Sequence, residues 1–519
     1  MTFVPGKTKE QETPAIPELA REGAMSIRPD SWHRSSRKDS HRIGRRELLW
    51  RVGGGLGGIA LAQLLHDDRL PAAVPADPTD RSSPRTRIPH HRARARRIVQ
   101  LFMSGAASQC DTFDYKPLLI DRDGRPFDPG EKVELFQSDP GDCMKSPWRW
   151  RPRGQCGKWI SDLVPHLSSC VDDIAFIHSM ASKSNVHGPA TFMQNTGFVQ
   201  PGFPCLGAWL SYGLGRSTDN LPTFVVLPDA RGFAPNGPQN WSAGFLPAVH
   251  QGMMMRPDRE PPIHDLFAPA DVPWIDTRAE QATRRLLREF NDGHRLGRED
   301  DSRLEARIES YEMAARMQAS APQALDLSAE TLSVRRLYGL DQPHTAEFGR
   351  RCLIARRLLE HGVRFVQVWS GADNGFPRRN WDSHEDLAKD HAEMALSMDQ
   401  PAAALIKDLK ARGMLEDTIV FWSTEFGRMP CSQGGKGRDH NPFGFTVWLA
   451  GGGIRGGKSY GATDEWSYRA IERPTYCYDV HATVLHLLGI DHERLTFRHN
   501  GIDRRLTDVH GEVIREILA

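Results

Sequence analysis

TIVFWSTEFGRMPCSQGGKGRDHNPFGFTVWLAGGGIRGGKSYG, Thr418 to Gly461, is the stretch whose reading decides the fold. It opens on a short apolar, partly β-branched run, Thr418 to Trp422, the pattern of a strand buried on both faces. Ser423-Thr424-Glu425-Phe426-Gly427 then falls where a parallel strand hands its chain to a loop, the usual place for a site in an open α/β sheet. A glycine-rich loop carries Lys436, Arg438, Asp439 and His440, and a second strand, Phe445 to Ala450, runs into Gly451-Gly452-Gly453. One carboxylate, an Asp-His pair and three basic residues, Arg428, Lys436 and Arg438, are thus expected between two buried strands, which reads as a site.

The same strand-then-polar-loop step recurs upstream. Arg97 to Met103 is a buried strand that breaks into Ser104-Gly105-Ala106-Ala107-Ser108, and Ile174 to Ile177 is a second that ends at His178-Ser179. The polar loop after it, Ser184 to Thr191, enters a helix whose first-turn N–H groups can receive an anion. Thr223 to Leu227 is a third strand, and Asp121 to Gln155 reads as loop or excursion. Ser302 and Glu305 form a capping box before an apolar stripe, Leu304, Ile308, Tyr311 and Ala315, which places Tyr311 in the core. A helix from Phe348 to His361 feeds a strand, Val363 to Trp369. Asn380-Trp381-Asp382-Ser383-His384 then leads into a long helix, interrupted near Pro401 and ending at Arg412. His384 and His391, seven apart, fall on one face of it. Strand, site loop, long helix, strand is a βαβ unit.

Composition narrows the function classes. With 67 basic and 66 acidic residues the net charge is +1, so no global field points to nucleic acid. Eight cysteines are spread widely without zinc-finger spacing; Cys143 and Cys156 could bridge a loop in an exported protein, or all eight could be separate thiols. Residues 1–95 lack sustained periodicity and read as a disordered region ahead of one α/β domain, 96–519. Within it, Arg45-Arg46 precedes a short glycine-rich apolar run, Val52 to Leu65, similar to a twin-arginine export signal and too short for a stable membrane span. A basic block, residues 81–97, serves as a linker. The expectation is export, to the periplasm by the twin-arginine route.

Several segments resemble the alkaline phosphatase and sulfatase superfamily. Glu425-Phe426-Gly427 is similar to its Thr-x-Asp-His-Gly metal motif, with Glu425 at the Asp position and Phe426 at the His. Asp439-His440-Asn441-Pro442 resembles the segment whose His completes the site, and Tyr478 to Leu485 resembles a helix near the end of sulfatases. His187-x-Pro189-Ala190-Thr191 with Thr196-Gly197 fits the spacing of the sulfatase nucleophile motif, with His187 at the nucleophile's place. More closely, Arg97 to the C-terminus resembles an exported family known as domain of unknown function 1501, through MSGAASQCDTFDYKP, GVRFVQVW, EFGR, GRDHNPFGFTVWLAGGG and HATVLHLLGIDHERLT.

The resemblance implies a three-layer alkaline-phosphatase-like α/β fold with a mostly parallel central sheet and helices on both faces. It also implies a divalent metal. Asp382, His384, Glu425, Asp439 and His440 make a set suited to Zn, Mn or Ca, with one ion rather than two because Phe426 cannot ligate and Ser104-Gly105 stands where the superfamily places Asp. Attack would come from Ser184, Thr191 or His187, or from water with His187 as general acid. The function implied is hydrolysis of phosphate or sulfate esters, on an anionic small molecule or a sulfated or phosphorylated glycan. The alternative is a catalytically degenerate relative that binds an anionic glycan or a protein partner through Arg428, Lys436 and Arg438.

Overall fold

The computed structural model describes residues 89–259, 262–263, 277–298, 302–373 and 379–519, all within one compact unit, Ala73–Ala519. The twin-arginine pair, the Val52 to Leu65 run and most of the basic block lie outside the described residues.

Eight strands form one sheet: β1 (Arg97–Met103), β2 (Ile174–Met180), β3 (Phe224–Leu227), β4 (Met253–Met254), β5 (Phe365–Ser370), β6 (Thr418–Thr424), β7 (Phe445–Ala450) and β8 (Lys458–Tyr460). Their order is β8-β2-β7-β6-β1-β5-β3-β4. β1 lies parallel to β5 and β6, β3 to β5 and β4, and β8 to β2, while β7 is antiparallel to both its neighbours. β7 alone therefore runs against the rest, as a mostly parallel sheet requires.

Six helices matter for the site: α1 (His187–Thr196), α2 (Leu206–Leu214), α3 (Ser302–Leu325), α4 (Ala346–Glu360), α5 (Leu387–Ala411) and α6 (Cys477–Leu487). Alternation along β1 separates the two faces. Val99, Leu101 and Met103 pack in one core with Leu353 of α4 and Leu405 of α5, whereas Ile98 and Phe102 pack in the other with Ala190 of α1, Trp209 of α2 and Val484 of α6. The result is helix layer, sheet, helix layer. β5, α5 and β6 form the expected βαβ unit, its strands flanking β1.

Several local expectations are corrected. Tyr311 is 55% exposed; the buried face of α3 runs through Ile308, Met313, Met317 and Ala321, so the stripe is rotated from the one read in the sequence. The helix from Leu387 passes through Pro401 without a break. Within residues 121–155, read as loop or excursion, Trp150–Arg153 pairs with Lys158–Ser161 in a hairpin. Folded structure also begins earlier than residue 96: Ala95 is buried, and the N–H groups of Arg94 and Ala95 donate to Leu487 O.

A charged helix can still be internal when its charges are matched. Arg356 of α4 is 1% exposed, and its guanidinium lies 2.8 Å from Glu330, 3.0 Å from Asp408 and 2.5 Å from Glu360.

Candidate metal centre

Because seven strands share a direction, their carboxyl ends lie along one edge of the sheet. β1 ends there in Ser104-Gly105, β2 in the loop to His187, β5 in the segment reaching Asp382, and β6 in Glu425. The reversed β7 begins at that edge, so His440, just ahead of it, arrives there too. Residues far apart in the chain converge for this reason.

Asp382 is the centre. Its Oδ1 lies 2.9 Å from His384 Nε2, 3.3 Å from His187 Nε2 and 3.3 Å from His440 Nε2, and it accepts from Arg428 Nη2 at 2.6 Å. Burial raises the Asp382 carboxyl, but the Arg428 charge and the three imidazoles outweigh it and hold the group far below the usual carboxylate range.

Each imidazole is fixed through its other nitrogen. His187 Nδ1 is 2.7 Å from Glu425 Oε1, His440 Nδ1 is 2.6 Å from the Asn185 carbonyl, and His384 Nδ1 is 2.5 Å from Gln433 Oε1. Each of these oxygens can accept from Nδ1, which orients the ring so that its Nε2 faces Asp382 Oδ1. His187 Nε2 is buried without a hydrogen-bond partner, and His384 Nε2 stands 3.0 Å from His440 Nε2. Two ring nitrogens approach that closely when a proton or a metal ion lies between them. Metal-binding histidines are oriented by the same kind of second hydrogen bond.

Ligand atoms of His187, Asp382 and His440 lie within 4.8 Å of one another, the spacing of a group that could hold an ion, and His384 joins them through its contact with the same oxygen. The residues present fit a divalent cation. Asp382, Glu425 and Asp439 set three negative charges against the one guanidinium of Arg428. Burial lowers the His187 imidazole, and its two carboxylate neighbours more than offset this, leaving it above the ordinary histidine range. Burial first, then the positive field of Arg428 and His187, pulls His440 down to about 3, its neutral, ligand-ready form.

The structure separates the predicted residues. Asp382, His384 and His440 come together, joined by His187, which acts as a member of the cluster: both its nitrogens face carboxylates, and neither is turned toward open space as a nucleophile would be. Glu425 supports His187 and accepts from Gly105 N at 2.7 Å, so the end of β1 contributes an amide where a carboxylate was absent. Asp439 stands back. Its Oδ2 accepts from Phe136 N, Gln137 N and Ser138 Oγ, and its Oδ1 from His440 N.

Arg428 and Arg438 are corrected as anion binders. Both are fully buried. Arg428 donates to the carbonyls of Gly105, Ala106 and Arg438, and Arg438 pairs with Asp111 at 2.9 Å and donates to the carbonyls of Met429, Pro430 and Met144. Lys436 is exposed on the loop. Ser184 Oγ accepts from Val186 N in a local turn, and Thr191 Oγ1 is enclosed one turn into α1 without a partner. His391 does not share a face with His384: it is buried in α5, accepts from Ser108 N and meets Trp381 edge-on.

Phe426, at the expected ligand position, is a wall. Its ring centroid lies 5.0 Å from that of His187 and 4.7 Å from that of His440, and Phe136 stacks on His440 at 4.6 Å. Phe136, Asn185 and Gln433 were not read as site residues in the sequence, since nothing local marks a residue that acts across such separations.

Gly105 shows how tightly the parts fit. Its φ is +105°, and a Cβ would sit 2.5 Å from the backbone nitrogens of Trp381 and Asp382. Gly105→Ala is expected to cost ~1–3 kcal/mol of stability and to weaken metal binding together with it, because the strain falls on the peptide that carries Asp382; denaturant unfolding and metal titration of the variant check both.

No curated protein matches the chain. Among solved structures it is similar to the lipoteichoic acid synthase LtaP from Listeria monocytogenes (10% identity, 77% of this chain and 73% of that one, TM-score 0.33). It is similar to the PsFucS1 sulfatase from Pseudoalteromonas sp. (11%, 77% and 69%, 0.33) and to a protein in the alkaline phosphatase superfamily from Vibrio parahaemolyticus (10%, 78% and 68%, 0.33). A family profile described as a protein of unknown function, DUF1501, matches residues 95–518, and the chain belongs to that family.

Proposed function

We propose that this protein is a metal-dependent hydrolase of phosphate or sulfate esters that uses one divalent ion. The observation that supports it most is the convergence of three anchored imidazoles, each with Nδ1 held by an acceptor, on Asp382 Oδ1. His187, Asp382, His384 and His440 would hold the ion, with Zn or Mn better suited than Ca to so many nitrogen donors. When bound, such an ion would polarise the ester oxygen and lower the pKa of a coordinated water.

The chain's own groups do the rest. Glu425 keeps the His187 ring oriented and its Nδ1 protonated, Arg428 holds Asp382 ionised, and Phe426 and Phe136 exclude water from the flanks of His440. Lys436 is the basic side chain of the loop left exposed to meet an anionic small molecule or a sulfated or phosphorylated glycan. Ser184 and Thr191 are not set up to attack, which favours direct attack by water over a covalent ester. With Arg428 and Arg438 buried and paired, the reading of a purely anion-binding relative loses two of its three contacts. No described helix is long and apolar enough to cross a membrane, and we propose export by the twin-arginine route to the periplasm.

The test is elemental analysis of the purified full chain, followed on the same sample by aryl phosphate and aryl sulfate assays with and without chelator. One divalent ion per chain and chelator-sensitive turnover are expected. Retained metal without turnover on either ester class would overturn the hydrolase, and no retained metal would overturn the centre.

A further inference from the structure

We propose that Cys143 and Cys431 form a disulfide that clamps the segment 123–144 onto the loop carrying His440. The two residues stand directly opposite each other in an isolated antiparallel bridge. The flanking hydrogen bonds are Met144 N to Pro430 O, 3.1 Å, and Ser432 N to Asp142 O, 2.8 Å. They bracket the pair without joining it, so Cys143 and Cys431 are a non-hydrogen-bonded pair, the antiparallel position in which α-carbons approach to about 4.5 Å and side chains lie closest. That spacing falls within the range a disulfide spans, and opposite residues of such a pair project to the same face. Both thiols are buried in one small cluster with Phe127, Met429 and Tyr468. No other two cysteines are brought opposite each other by strand pairing among the described residues. Of the two alternatives read from the sequence, a Cys143–Cys156 bridge or separate thiols, the bridge is disfavoured, because Cys156 is exposed in a turn whose N–H groups are held by Asp172.

The surroundings hold the pair in place. A Cβ on Gly141 would collide with the Ser432 carbonyl, and Arg438 donates to both Met144 O and Pro430 O, one from each side of the bridge. In forming the bond, two S–H bonds break and one S–S bond forms. Two electrons and two protons pass to a small-molecule disulfide such as oxidised glutathione, which leaves as two thiols. Burial pushes the Cys431 thiol up to about 11, and the thiolate is the form that attacks in disulfide exchange. The same segment supplies Phe136, stacked on His440, and the Phe136 and Gln137 amides that hold Asp439.

The test is refolding of the reduced full chain in a glutathione redox buffer, then alkylation under denaturing conditions without reductant, digestion and peptide mapping. The expected result is a linked Cys143–Cys431 peptide pair, a mass lower by about 2 Da than the reduced chain, six alkylated cysteines, and a higher thermal midpoint that dithiothreitol reverses. Cys431→Ser and, separately, Cys143→Ser should abolish that reversible shift. Alkylation of both Cys143 and Cys431 in the oxidised wild-type chain, or linkage of either to another cysteine, would overturn the proposal.

Discussion

Replacing Asp382 by alanine is expected to remove metal binding and to destabilise the fold by about 3–5 kcal/mol, because it leaves the Arg428 guanidinium buried without its carboxylate. Arg428 is 0% exposed and its remaining acceptors are backbone carbonyls, which satisfy hydrogen bonds but not a full charge. The variant also withdraws the oxygen on which three imidazoles converge. Denaturant unfolding measures the first effect and elemental analysis of folded variant the second. A variant as stable as the parent would show that the carbonyls alone neutralise Arg428.

His440→Ala separates binding from folding. It removes one Nε2 from the cluster while leaving Asp382 paired with Arg428, and the backbone bond from residue 440 to Asp439 Oδ1 needs no side chain. Divalent metal affinity is expected to fall by at least about 100-fold, beyond the usual effect of losing a supporting partner, with the far-UV circular dichroism unchanged. Retention of one ion per chain in this variant would remove the centre described above.

The strands were legible because burial on both faces writes itself as short apolar runs: Arg97–Met103 and Phe445–Ala450 are the strands read from the sequence, residue for residue. The convergence of Asp382, His384 and His440 was legible through strand-end position together with residue type. The roles of Arg428 and Arg438 were not. A glycine-rich loop with basic residues reads as solvated, since charged side chains are rarely buried, and only the tertiary fold supplies the carbonyls and the Asp111 carboxylate that receive them. The contacts of His187 were not legible for a related reason. Its spacing from Pro189 places it at the start of α1, but which carboxylates face its two nitrogens depends on Glu425 and Asp382, more than 190 residues downstream. Tyr311 shows the limit of periodicity, where one helix carries two competing stripes and the partner surface decides between them.

The reversed strand β7 bears on when the proposed ion could be acquired. His440 reaches the cluster because β7 runs against its neighbours, and β7 pairs with β2 and β6, the first of which lies far upstream. The pairing of β7 with β2 joins segments distant in sequence, the kind of contact that forms slowly. On the proposed function, loading would follow the docking of β7, and because donor sets of this kind discriminate among ions partly by what is available, an element found in the purified protein would record the compartment in which folding ended.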